Sequence, residues 1–290
     1  MKGMRNKFGV IASSRRDLLM DLGTDGNYEF DPYGIYSFRY LNREYNGDVF
    51  LGYRDGYGTT QGFTPKEIVD GSLASFASGG KVRVKTLYDQ SGNGNHATQS
   101  GRWNMPEITN SSGTLQTVNG FPAMDFDGGN DFMPLNSALP NIDVGNCSSF
   151  CVGEFDDLDG ITSGQEMMLS LGWTNNSARW FMPSGRVGTY NFGYAYTWNI
   201  DSVAGDTDPH LFTGIAGTTQ GNFQPFVDGT SQGSFTRYSR ASAGTYGIGG
   251  GSSTTAYPLD GRVSEVLIFA GDCSPTRAVI EKNIMDYYNI

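Results

Sequence analysis

Along most of the chain, hydrophobic and polar positions alternate over roughly four to eight residues and then break at Gly, Asn, Asp or Pro. That is the pattern of short strands joined by tight turns. Strands are expected at Tyr36–Leu41, Asp48–Tyr53, Val82–Tyr88, Phe121–Phe126, Ser149–Phe155 and Met167–Leu171. Further strands are expected at Arg179–Met182, Val187–Phe192, His210–Ala216, Phe223–Val227, Thr245–Ile248 and Arg262–Phe269. Two stretches carry the helical period instead. In Thr64-Pro65-Lys66-Glu67, Thr64 can cap, Pro65 suits the first helical position and Glu67 can reach back, so the apolar residues Ile68, Val69, Leu73 and Phe76 predict a helix over 65–77, ended by Gly79-Gly80. A second helix is expected over 275–288, with Val279, Ile280, Ile284 and Tyr287 on one stripe. There is no repeat at a fixed period and no Pro/Ser-rich linker. The expectation is therefore all-β: one two-sheet antiparallel jelly-roll sandwich over 34–290, preceded by an arm over 1–33.

Composition sharpens this picture. Forty-one glycines and 13% aromatic residues suit many turns and ring-to-ring packing, and 290 residues at 38% hydrophobic supply a substantial core. Cys147, Cys151 and Cys273 are too few to make a disulfide framework. Lys2, Arg5 and Lys7 resemble the charged start of a signal peptide, but the apolar run Phe8–Ala12 is too short and Arg15-Arg16 interrupts it. Neither a signal peptide nor a membrane span is expected. A net charge of −10 disfavours a phosphate-neutralising surface, so no nucleic-acid partner is expected. The charge is segregated: residues 1–16 hold five basic side chains and no acidic one. Such an arm can dock on an acidic partner or simply fray in solvent.

Three residue sets carry candidate chemistry. Asp89, Ser91, Asn93 and Asn95 fall at alternate positions with Gly94 sixth, which is how half of an EF-hand loop presents oxygens to calcium. The twelfth position is Ser100 rather than Glu, and a turn that satisfies its own backbone is the competing reading. Asp125, Asp127 and Asp131 could complete such a site across strands. Trp173, Asn175, Trp180, Tyr196 and Trp198 offer the rings and amides that a glycan site needs. Alternation of Tyr190, Phe192, Tyr194 and Tyr196 suggests instead one face of a strand, packed in a core or interface. His96 and His210 are the only histidines, and no metal or nucleophile motif accompanies them.

Tyr36-Ser37-Phe38-Arg39-Tyr40-Leu41, the run Thr86 to Ala97 reading TLYDQSGNGNHA, and Tyr246-Gly247-Ile248-Gly249-Gly250 resemble the catalytic β-sandwich of fungal-type α-L-arabinofuranosidases. Phe121 to Gly128 and the ending from Glu265 through Tyr288 resemble the wider concanavalin A-like, laminin-G-like group, which is common in bacteriophage tail, fibre and capsid-surface proteins. The arabinofuranosidase resemblance implies an acid/base aspartate directly after the glycine run, where this chain has Gly251. It implies a nucleophile glutamate before Leu171-Gly172, where an ungapped count lands on Met167. Glu166 is one residue away, and in a strand that offset points to the opposite face. The family's adjacent cysteine pair also lacks a counterpart beside Cys151.

Retaining hydrolysis needs two carboxyls. With both expected positions changed, only Glu166 and Asp260 remain as fallback carboxyls, and the resemblance keeps its fold while departing from its chemistry. The function expected on these grounds is a non-catalytic structural protein of a phage virion. It would be made in the host cytoplasm, joined to other virion proteins through the arm and displayed as a homo-oligomer toward a host-surface glycan. The competing expectation is a glycoside hydrolase of the arabinofuranosidase type.

Overall fold

The computed structural model describes residues 32–135, 146–156, 166–171, 207–216, 223–233, 246–250 and 257–290, with the backbone of three strands at 178–180, 189–192 and 196–199. The arm, residues 1–31 of it, lies outside the described residues.

The first strands are β1 (Pro32–Ser37), β2 (Phe50–Arg54), β3 (Thr60–Phe63), β4 (Val82–Leu87), β5 (Ala97–Thr98) and β6 (Glu107–Thr109). A hairpin of β7 (Thr117–Val118) and β8 (Phe121–Pro122) leads to β9 (Met124–Asp127), β10 (Met133–Pro134) and β11 (Cys147–Phe155). Then come β12 (Leu169–Leu171), β13 (Ala178–Trp180), β14 (Thr189–Phe192) and β15 (Tyr196–Asn199). The last are β16 (His210–Ala216), β17 (Phe223–Val227), β18 (Thr230–Ser231), β19 (Tyr246–Ile248) and β20 (Asp260–Ala270). Helices α1 (Pro65–Val69) and α2 (Ser72–Ala77) follow β3, and α3 (Arg277–Tyr288) follows β20.

The large sheet has the order β18-β17-β16-β11-β20-β9-β6-β4-β2-β3, with β1 beside β20 and β5 beside β4. The small sheet runs β10-β19-β12-β13-β14-β15. Buried side chains of both, among them Phe50, Phe126, Cys151 and Val266 from the large sheet and Leu169, Leu171 and Ile248 from the small one, form the core between them. The result is the all-β sandwich that the alternation predicts.

β20 is the spine of the large sheet. Its one edge pairs with β11 throughout, while the other is shared between β9 near Asp260 and β1 near Phe269. On the outer face, α3 lays Ile280, Ile284 and Tyr288 over Phe150, Val152, Leu267 and Phe269, a second apolar cluster. Glu265, 2% exposed, anchors this cover. Its carboxylate takes both Nε and Nη2 of Arg39 at 2.8 and 2.9 Å and the hydroxyls of Ser37 and Tyr288. Burial works against the Arg39 charge, and Glu265 more than offsets it, so the guanidinium stays firmly protonated.

Three local expectations needed correction. The helix over 65–77 is two helices. The Thr64/Glu67 capping box forms, but Gly71 at φ 100° breaks the run after Asp70 accepts the N–H and hydroxyl of Ser72. The expected strand Tyr36–Leu41 ends at Ser37. Beyond it the Gln90 side chain takes over, accepting from the Leu41 N–H and donating to the Ser37 and Arg39 carbonyls. The aromatic run through Tyr190 and Tyr196 is a hairpin rather than one strand, with Phe192 opposite Tyr196 and Tyr190 opposite Trp198.

Candidate functional site

At one end of the sandwich, backbone bonds stitch the two sheets together. The Gly249 N–H donates to the Met168 carbonyl at 2.9 Å, Leu259 to Gly249 at 3.1 Å and Gly128 to Leu259 at 2.9 Å. Gly249 sits at φ 82°, and an added Cβ would lie 2.0 Å from the Phe126 ring, so only glycine allows the sheet to turn there.

Glu166 lies at this end, 4% exposed, with Oε2 accepting the Asp260 N–H at 3.0 Å. It precedes β12 rather than belonging to it, so strand alternation does not separate it from Met167; both are buried, and Met167 is core. Asp260 stands opposite Asp127 in register, and its carboxyl lies over Gly128, where an added Cβ would be 3.2 Å from Oδ2. Asp127 accepts the N–H groups of Gly129 and Asn130 at 2.9 and 3.3 Å. Four residues on, Asp131 is 1% exposed and neither carboxyl oxygen has a hydrogen-bond partner. Burial first, then the Asp127 charge, pushes its pKa up to about 8, with Arg83 opposing. The structure thus brings the Glu166 carboxylate onto the backbone of Asp260, the other fallback residue, from 94 residues away. Gly251, the expected acid/base position, lies outside the described residues.

The TLYDQSGNGNHA loop is a clamp on β1. Asp89 Oδ1 accepts the Ile35 and Ser91 N–H groups, both at 2.9 Å, while Oδ2 accepts the Ser91 hydroxyl at 2.6 Å and the Asn95 N–H at 3.0 Å. Asn93 and Asn95 donate their side-chain amides to the Pro32 and Tyr33 carbonyls, both at 2.6 Å. Asp89, Ser91, Asn93 and Asn95 are therefore brought together, but as a hydrogen-bonded turn, with the carboxylate surrounded by donors. The calcium expectation finds no oxygen cage in this turn, and no cluster of three or more His, Cys, Asp or Glu among the described residues could hold a metal. His96 accepts the Asp89 N–H at 3.1 Å, and His210 contacts Asp228 at 2.6 Å where β16 opens.

Of the aromatic set, Trp173 and Asn175 lie outside the described residues. Trp180 is on β13 and Tyr196 and Trp198 on β15, the two strands that flank β14 in the small sheet, and their side chains lie outside the described residues. Sequence reasoning missed two other rings. Tyr57 and Trp103 are 69% and 62% exposed, each in a turn with no periodic pattern around it to mark it.

On the outer face, Glu154, Arg262, Asp125, Glu107 and Arg83 stand in register across β11, β20, β9, β6 and β4. Arg262 contacts Asp125 at 2.9 Å and Asp156 at 3.1 Å, and also bonds Glu154. Burial raises Asp125 to about 6 against the pull of Arg262, with Asp156 and Glu107 adding to the rise.

No family model matches the chain, and none of the curated proteins does. Solved structures do. An arabinofuranosidase complexed with arabinofuranosyl-α-1,2-xylobiose aligns with a TM-score of 0.61 at 16% identity, over 90% of this chain and 63% of that one. A mutant GH54 α-L-arabinofuranosidase soaked with 4-nitrophenyl α-L-arabinofuranoside aligns at 0.63 with 15% identity, over the same shares. A GH54 enzyme soaked with a cyclic sulfate inhibitor gives 0.55 at 18%. The chain spans less than two thirds of these relatives' length. At such identities the likeness, aligned over nine-tenths of this chain, is one of fold: the β-sandwich of the described residues is similar to that of these arabinofuranosidase structures.

Proposed function

We propose that the protein acts on glycans as a glycoside hydrolase of the arabinofuranosidase type, at the sandwich end that carries Glu166 and Asp260. The observation behind this reading is the bond from the Asp260 N–H to Glu166 Oε2 at 3.0 Å, which sets Glu166, just before β12, beside the first residue of β20. Retaining hydrolysis needs two carboxyls about 5 Å apart, one to attack the anomeric carbon and one to protonate the leaving oxygen. In this assignment Glu166, steadied by a backbone donor, is the nucleophile, and Asp260 gives and later takes the proton. Release of nitrophenol from 4-nitrophenyl α-L-arabinofuranoside tests it. Glu166→Gln should abolish release, and Asp260→Asn should lower it by roughly 10²-fold or more, with circular dichroism unchanged. A purified protein that releases nothing overturns the hydrolase reading.

Met167 in the core and Gly251 after the glycine run favour a second reading, recognition of a glycan without cleavage. Trp173, Asn175, Trp180, Tyr196 and Trp198 would then carry the contact. A glycan-array signal that falls on Trp198→Ala, in a protein without hydrolytic activity, is its expected outcome. Attachment to a virion through residues 1–33 is a further proposal that rests on the basic arm alone. Deleting residues 1–16 should then leave the sandwich folded and abolish incorporation into particles.

A further inference from the structure

We infer that the corner formed by Tyr57 and Trp103 is a binding site for an acidic sugar residue, such as a uronic acid within a polysaccharide. The inference is independent of the hydrolase reading, because the corner includes neither Glu166 nor Asp260. The large hydrophobic side chains exposed among the described residues are Tyr57, Trp103 and Val279, and Val279 is on α3. Tyr57 sits in the turn between β2 and β3, and Trp103 in a single 3-10 turn, Arg102–Asn104.

Both rings are held before any ligand arrives. The Arg54 guanidinium lies 3.8 Å from the Tyr57 ring centroid, and that of Arg102 lies 4.2 Å from the Trp103 ring. Asp55 ties the two turns together: Oδ1 takes Arg102 at 2.6 and 2.7 Å, and Oδ2 lies 3.5 Å from Arg83 Nε. Arg83 is fixed in turn by the Met105 carbonyl at 2.9 Å and by Glu107 at 3.2 Å. On the Trp103 side, the Asn104 carbonyl accepts the Phe132 N–H at 3.0 Å.

This chemistry suits a sugar better than a protein. A protein hot spot needs a continuous dry rim around its aromatic anchors, whereas these two rings stand among charged groups. A sugar offers a C–H face to an aromatic ring and hydroxyls to the guanidinium and carboxylate groups around it. The acidic class follows from charge. Arg83 and Arg102 share Asp55, Arg83 and Lys81 share Glu107, and Arg54 on Tyr57 is a fourth cation, in a chain of net −10. Arg54 makes no ion pair among the described residues: its guanidinium lies against the Tyr57 ring, and its Nε is buried there. A surplus of cations of this kind is matched by a carboxylate on the sugar.

Affinity electrophoresis of the full chain at low ionic strength tests this, with polygalacturonate, its fully methyl-esterified form and neutral arabinan as the immobilised polymers. Polygalacturonate should retard the protein and the other two should not. Trp103→Ala and Arg54→Gln should each weaken retardation about tenfold, given what a ring contact or a charged hydrogen bond contributes. Both should keep the wild-type melting temperature, and Glu166→Gln should bind as wild type does. Three results would overturn the assignment: no retardation, retardation untouched by Trp103→Ala, or equal retardation by the esterified or neutral polymer.

Discussion

The outer face of the large sheet is built in two ways on the same strands. Toward Ala270, β11 and β20 turn Phe150, Val152, Leu267 and Phe269 outward, and α3 covers them. Toward Asp260, the same strands turn out Glu154 and Arg262, and no helix of the described residues covers them. The switch falls at a register shift between Val152 and Gly153, beside which Glu265 is buried under the end of α3. Period-2 alternation runs on through this point in β11, while β20 inserts Ser264, so it marks which residues face outward but not what meets them there. One half gains its stability from dry area, the other from ions that remain partly wet.

Each half can be broken separately. The largest effect is expected for Ile284→Ala, which empties a fully buried position beneath α3 and should cost about 3 kcal/mol in urea unfolding. That loss should be indifferent to salt. A middle effect is expected for Asp131→Asn and reads out through pH. In the folded chain this carboxyl titrates near 8 rather than near its ordinary value of 3.8, so folding favours its protonated form. Its contribution is fully present below pH 4 and is lost as the pH rises through 8. The variant should match wild type at pH 4 and exceed it at pH 8 by a margin on the order of 2 kcal/mol, measured by thermal melts. The smallest is expected for Arg262→Met in the open half. Its side chain is 25% exposed and its removal leaves Asp125, Glu154 and Asp156 without their shared cation, a loss of about 1 kcal/mol. This loss should shrink in molar salt. Equal salt dependence for Ile284→Ala and Arg262→Met would erase the distinction between the halves.

Much of this architecture is legible in the chain because it is written locally. The Thr64/Glu67 cap, the stripe of α3 and most strands declare themselves within a dozen residues. Gln90 does not: its amide replaces a neighbouring strand for the segment after Ser37, at sequence separations of about fifty residues. Glu166 and Asp260 meet across 94 residues, so no spacing motif could announce them. The aromatic alternation through Tyr190 misled because a hairpin and a long strand share the same period. Tyr57 and Trp103 are single rings in polar turns, and exposure of a lone aromatic leaves no trace in a hydrophobicity pattern.

The position of β20 as the shared partner of β1, β9 and β11 also governs when the molecule can form. Ribosomal synthesis delivers β1 more than two hundred residues before the Val266–Phe269 segment it must pair with. Until then the edge of β1 that includes Ile35 and the β20-facing edge of β11 lack their partner and are open to chaperones or to self-association. Folding is therefore slow and late in translation, governed by distant contacts. A premature stop before residue 260 would yield a chain that aggregates rather than a smaller sandwich.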